Sequence, residues 1–214
     1  MYIIINGYGT PDNIMTDLNY NRYLGFIFNY LWANYRHKKL TITVCGGPTD
    51  MKRPYQRTEA GEMAKWFRHY LARLNLTKRW QVKQANKGLG ALDNLLAAKK
   101  IIGSKKAPMI CCFDITRTKK MRRLIKEVLG SKVKLLLIDF DLSLPRYDLA
   151  TRQKMEAADL RFSLKALRDQ TFYRKLQTAN RQKIKILRQT PAAVRATEID
   201  KISSRLRNAY LSGS

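Results

Sequence analysis

The chain has 214 residues, 45% of them hydrophobic, and carries 42 Lys and Arg against 16 Asp and Glu, which gives a net charge of +26. This length and apolar content can bury a sizeable core, which argues against a disordered chain, and no apolar run reaches membrane-spanning length. The charge exceeds what solubility requires, so either an anionic polymer is a partner or the surface is generally basic and solvated.

The first part of the chain predicts two strands that each end in glycines. The apolar run Tyr2–Ile5 ends in Asn6-Gly7-Tyr8-Gly9, which indicates a buried strand followed by a tight loop. After an amphipathic helix, the alternating stretch Thr41–Val44 ends in Cys45-Gly46-Gly47. A further helix is predicted to begin at Thr58, which has glutamates in the turn that follows.

Strands and helices continue to alternate through the middle of the chain. Three more strands are predicted at Trp80–Ala85, Met109–Phe113 and Val133–Ile138. Because crossovers of this length join parallel strands, residues 1–141 are predicted to form a three-layer, doubly wound α/β domain with a mainly parallel, Rossmann-like sheet. Residues 142–214 show no strand pattern and predict a basic helical C-terminal extension.

Glycines and polar side chains gather where the predicted strands end. In an open α/β sheet these ends share one edge, where ligands bind against glycine turns and helix N-termini. We expect a cleft there for an anionic ligand with a phosphate or carboxylate group, although the G-x-G-x-x-G dinucleotide fingerprint is incomplete because Asp12 stands in place of its third glycine. The predicted ligand-binding residues are Asn6, Gly7, Gly9, Gly46, Gly47, Thr58, Glu59, Asn94 and Arg117.

Five of these residues have specific expected roles. The Thr58 helix start and the Gly46 and Gly47 amides would bind an anionic or carboxylate group, and Arg117 would clamp it. Glu59 either meets a ligand hydroxyl or only complements the helix dipole. A hydrolase or transferase that uses Asp114 or Asp139 with a divalent ion is a less favoured interpretation, because no second ligand motif accompanies these aspartates.

The extension contains a basic stretch that supports an alternative function. No acidic residue occurs between Asp169 and Glu198, and four cations recur at helical spacing on one face. Such a stripe either binds nucleic acid, RNA in particular, through its phosphates or is simply a solvated helix face. Its members are Arg174, Arg181, Lys185 and Arg188.

Over about residues 2–138 the loops resemble the YdcF-like family. The likeness rests on Asn6-Gly7-Tyr8-Gly9, Arg22, Cys45-Gly46-Gly47, Thr58-Glu59-Ala60 and Asp93-Asn94. The resemblance implies a Rossmann-like domain whose strand-end cleft binds a small nucleotide-like ligand, and S-adenosylmethionine is the cofactor that it suggests.

The chain departs from the family pattern at two places. Ala91 and Asp93 stand where family members typically carry threonine and glutamate, and Thr116-Arg117 stands where the fourth loop usually carries a histidine followed by an arginine. His37 and His69 fall in or beside predicted helices, away from the strand ends. Chemistry that depends on the family histidine is therefore not expected, which leaves catalysis open and favours a binding cleft.

The cysteines and the N-terminal residues indicate the cellular compartment in which we expect the protein. Cys45, Cys111 and Cys112 fall in predicted buried strands without CxxC spacing, which argues against a disulfide framework or a zinc site and is typical of a reducing compartment. Met1–Ile5 lacks the pattern of a secretory signal. We expect a cytoplasmic protein without a metal site or transmembrane segment, and the sequence leaves its oligomeric state open.

Overall fold

The computed structural model describes residues 1–103, 107–140 and 149–211. The chain divides into two compact units, Met1–Asp50 with Tyr55–Pro145, and Met51–Pro54 with Arg146–Ser214. We call these the sheet unit and the helical unit. The domain boundary predicted at residue 141 lies outside the described residues.

The sheet unit is an α/β fold built on five parallel strands in the order β3-β2-β1-β4-β5, which confirms the predicted fold class. A short 3-10 turn at Ile115–Arg117 leads into the fourth helix. In chain order the elements are β1 Tyr2–Asn6, α1 Leu18–Tyr35, β2 Leu40–Cys45, α2 Glu59–Arg73, β3 Trp80–Ala85, α3 Ala91–Ile102, β4 Met109–Asp114, α4 Thr118–Leu129 and β5 Val133–Ile138.

Burial follows each strand's position in the sheet. β1 lies at the centre, and Ile3, Ile4 and Ile5 are fully buried because helices cover both faces of the sheet. α1 and α2 share one core with the sheet, whereas α3 and α4 pack against each other. The edge strand β3 instead exposes Gln81 and Lys83. Because all five strands are parallel, the loops that follow them lie at one edge of the sheet.

The helical unit contains α5 Leu149–Arg168, α6 Gln170–Gln189 and α7 Ala192–Leu211, which confirms that the predicted C-terminal extension is helical. α6 packs against both neighbours. Asp169 caps α6 by accepting a hydrogen bond from the Phe172 N–H at 2.9 Å. The segment Met51–Pro54 belongs to this unit, where Met51 packs on a cluster formed by Leu187, Ile202 and Leu206.

All three cysteines are buried, as predicted from their strand positions, and their thiols are free. Burial raises the pKa of Cys111 to about 12 and raises the pKa values of Cys45 and Cys112 as well. No helix in the described ranges is both long and apolar enough to cross a membrane.

Candidate functional site

The glycines that follow β1, β2 and β3 lie against other parts of the same edge. A Cβ on Gly7 would lie 2.8 Å from the Cβ of Glu59, and one on Gly46 would lie 3.0 Å from the Glu59 Cδ. A Cβ on Gly47 would lie 2.9 Å from the carbonyl carbon of Gly88 and closer still to its oxygen. These three glycines are therefore required for contacts between loops, so their Cα faces are not open to a ligand as the sequence predicted.

The start of α2 already uses its own donors. The Glu59 and Ala60 N–H groups donate to the carbonyls of Gly47 and Gly46, both at 3.1 Å, and the Gly61 N–H donates to the Thr58 hydroxyl at 2.9 Å. The Gly46 N–H donates to the carbonyl of Ala85 at 3.0 Å. The anion site predicted at Thr58 and the Gly46 amide does not fit this geometry, because these N–H groups have protein acceptors.

Glu59 closes a hydrogen-bond chain between two loops. Its carboxylate, on a side chain that is 7% exposed, accepts from the Thr49 hydroxyl at 2.7 Å. The Thr10 hydroxyl lies 3.0 Å from that of Thr49 and must be the donor, since the single Thr49 proton points to Glu59. The Glu59 side chain therefore holds the loops after β1 and β2 together.

A second link between these loops is the ion pair of Arg57 with buried Asp50. The Arg57 Nη2 lies 2.7 Å from Asp50 Oδ1, and its Nε lies 3.1 Å from Oδ2. The same guanidinium donates to the carbonyls of Pro11 and Asp12. This bidentate contact to Asp50 raises the pKa of Arg57, and the arrangement fixes one loop on the other.

Tyr8 occupies the crevice between β1 and β4, where the strand order reverses. Its hydroxyl accepts a hydrogen bond from the Asp114 N–H, and its ring packs 4.7 Å from that of Phe140. The guanidinium carbon of Arg117 lies 4.6 Å from the Tyr8 ring centroid. Burial raises the pKa of Tyr8 well above its ordinary value. In doubly wound sheets this crevice is the usual ligand site, but here an aromatic side chain and Arg117 fill it.

The polar residues at the ends of β1 and β4 have structural partners. Asp114 accepts hydrogen bonds from the Thr116 N–H at 2.8 Å and from the Phe140 N–H at 3.1 Å. Asn6 donates to the Cys112 carbonyl at 3.2 Å, whereas its buried Oδ1 has no donor among the described residues. The geometry therefore gives Asp114 a loop-fixing role instead of the catalytic one that the sequence left open.

Asp139 is likewise poorly placed for chemistry with a metal ion. Its half-exposed carboxylate lies 4.0 Å from Arg22, and the Asp139 carbonyl accepts a further hydrogen bond from the same guanidinium. Within residues 1–103, 107–140 and 149–211, no group of His, Cys, Asp or Glu side chains is arranged to hold a metal ion.

The start of α3 lies at this edge and has no side-chain cap. Its N-cap is Gly90, with extended backbone and no side-chain cap, and the Asn94 N–H makes the first intrahelical bond to the Gly90 carbonyl. The Ala91 and Leu92 N–H groups meet no acceptor among the described residues. Asn94 is 6% exposed, and its Oδ1 lies beside Gly88 without a donor in the same portion of the chain.

The sequence predicts a helix that begins at Ala91 and places Asn94 at this edge, but the helix start itself was not among the predicted ligand-binding residues. The signal was the glycine at position 90, because a glycine at the N-cap has no side chain that could accept a hydrogen bond from the first turn. Gly9 also lies at this edge with a φ of +98°, which favours glycine, and a Cβ there would meet no atom within 4 Å. Its carbonyl accepts a hydrogen bond from the Tyr20 hydroxyl at 2.7 Å.

Both histidines are remote from the edge. His37 is exposed beyond the end of α1, and His69 is exposed in the last turns of α2 beside Tyr70. Helices in this fold run back from the carboxyl edge, so their C-terminal ends lie at the opposite edge of the sheet.

In the basic stripe, Arg174, Arg181 and Lys185 are exposed on α6, whereas Arg188 is partly buried and has other interactions.

No protein-family model, curated protein or solved structure matches the chain. The resemblance to the YdcF-like family therefore stays a prediction.

Proposed function

We propose that the sheet unit binds a small molecule through an anionic group at the start of α3. The observation that carries this proposal is the uncapped first turn, in which the Ala91 and Leu92 N–H groups have no acceptor within the described residues. A helix N-terminus with unsatisfied donors attracts negative charge through those donors and through its dipole.

The nearby side chains support a ligand that also donates hydrogen bonds. The buried Asn94 Oδ1 has no donor among the described residues, and a hydroxyl or ammonium of the ligand would satisfy it. The Gly9 loop leaves space at the same edge. S-adenosylmethionine, which the resemblance to the YdcF-like family suggests, combines a carboxylate with an ammonium and ribose hydroxyls and suits both features.

The test uses proline at position 91, the first residue of α3. Proline removes the Ala91 N–H but fits the first position of a helix, and the extended Gly90 in front of it is compatible. In calorimetric titrations of the full chain, Ala91→Pro should weaken S-adenosylmethionine binding by about 10- to 100-fold, the loss expected for one hydrogen bond to a charged group.

Two controls separate the site from the fold. Gln170→Pro makes the same change at the first residue of α6 and should leave binding unchanged. 5′-Methylthioadenosine lacks the carboxylate, so its binding should not respond to Ala91→Pro. Equal S-adenosylmethionine affinity in wild type and Ala91→Pro would show that the start of α3 does not bind the ligand. If the wild-type protein does not bind S-adenosylmethionine, this molecule is not its ligand.

A further inference from the structure

The basic side chains of the helical unit differ in how they are used. Arg207 pairs with Asp159, and Lys201 pairs with Glu198 at 2.9 Å. Arg195 donates to the carbonyls of Leu187 and Thr190, both at 2.9 Å. These cations have internal partners, so they contribute to the structure of the unit itself.

The exposed face of α6 is different. Arg174, Arg181 and Lys185 pair with no carboxylate within the described ranges. They are seven and four residues apart, so they share one face over about 16 Å of helix. The sequence has no acidic residue between Asp169 and Glu198 that could neutralise them locally. The side chains that α6 buries are Phe172, Ala179, Ile184 and Leu187.

We propose that this exposed face of α6 binds the phosphate backbone of a nucleic acid. Three aligned cations that pair with no carboxylate among the described residues repel one another, and a polyphosphate relieves this repulsion while releasing its own counterions. A membrane fits less well, because the apolar side of α6 is buried and has no surface to insert among lipids.

The same face implies binding that does not depend on base sequence. Phe172 is buried, and Tyr173 is only partly exposed, so the stripe offers no aromatic platform on which bases could stack. Backbone contacts position a nucleic acid without reading it. This second binding function is independent of the ligand proposed for the sheet unit, and either can fail without the other.

The test measures how RNA affinity depends on salt. Fluorescence anisotropy of the full chain with a labelled single-stranded RNA should show affinity that falls steeply with KCl. In R174Q/R181Q/K185Q, affinity should fall at least tenfold at low salt. The plot of log affinity against log salt should also become less steep, its negative slope shrinking in magnitude by about two, since each lost contact to single strands contributes about 0.7. An R174K/R181K variant should retain binding, because lysine also neutralises phosphate.

The matched control removes the same charge elsewhere. K65Q/K99Q/K126Q neutralises three exposed lysines of the sheet unit and should change neither affinity nor slope appreciably. Equal weakening by both triple variants would show a general charge effect and overturn the proposal. So would the absence of RNA binding to wild type at low salt.

Other polyanions complete the test. Double-stranded RNA and DNA should bind within a few-fold of single-stranded RNA of equal length, and each should lose affinity in R174Q/R181Q/K185Q. Phosphatidylserine vesicles should bind more weakly at equal phosphate concentration. Tighter binding to vesicles than to RNA would overturn the nucleic-acid assignment in favour of a membrane surface.

Discussion

At the scale of single residues, the glycines of the carboxyl edge serve contacts between loops. Gly47 lies against the Gly88 carbonyl, and Gly46 lies against the Glu59 side chain. A sequence shows that a glycine follows a strand, but not whether a ligand or another loop fills the space beside it. That is why the predicted residues are correctly placed at one edge while several of their expected roles do not fit.

Gly47→Ala should therefore destabilise the sheet unit by about 1–3 kcal/mol, because its Cβ would overlap backbone atoms of Gly88 that cannot move without the loop. Urea unfolding followed by tryptophan fluorescence measures this unit alone, since Trp32, Trp66 and Trp80 all lie in it. Gly25→Ala in α1 is the control and should stabilise by about 0.5–1 kcal/mol, as nothing lies within 4 Å of its Cβ. A Gly47→Ala protein as stable as wild type would contradict the loop contact.

At the scale of elements, hydrophobic periodicity predicts every strand of the sheet, because buried parallel strands read as apolar runs between glycine loops. It does not predict which helix start remains open. The first turn of α2 is satisfied by carbonyls of Gly46 and Gly47, and these acceptors come from a loop whose path only the folded structure shows. The open start of α3 depends on the same long-range arrangement.

An acidic N-cap residue at the start of α3 should raise the stability of the protein and weaken ligand binding. Gly90→Asp supplies an acceptor for the first turn and a negative charge near the dipole, so the free energy of unfolding should rise by about 0.5–1 kcal/mol. The same carboxylate would compete with an anionic ligand, and S-adenosylmethionine affinity in calorimetry should fall at least tenfold. Gly90→Asn caps without charge and should weaken binding less. A Gly90→Asp protein that binds as tightly as wild type would contradict the anion site.

At the scale of the whole molecule, composition and pattern separate a sheet-forming part from a helical part. The placement of Met51–Pro54 with the helical unit could not be predicted, because four residues between β2 and α2 carry no periodic signal. In the sheet unit, the buried phenols of Tyr8, Tyr20 and Tyr23 lie within one aromatic cluster with Phe140. Burial is the main reason that their pKa values are raised.

These phenols should make the sheet unit sensitive to alkali. A raised folded pKa means that the folded state keeps protons that the unfolded state loses, so this stability is complete below the ordinary phenol pKa near 10 and is lost as pH rises above it. Each phenol contributes a decline of up to about 1.4 kcal/mol per pH unit. Urea unfolding from neutral pH to pH 11 should show a shallower decline for Tyr23→Phe than for wild type. An identical slope would contradict the role of Tyr23.

The buried thiols give the sheet unit a built-in chemical reporter. Cys45, Cys111 and Cys112 all lie in β2 and β4, and the helical unit has no cysteine. A thiol reagent can reach these sulfurs only when the strands separate. The rate of thiol modification therefore measures how often the sheet unit opens, and no label has to be introduced. In a chain of two units, thiol modification therefore reports transient opening of the sheet unit and not of the helical unit.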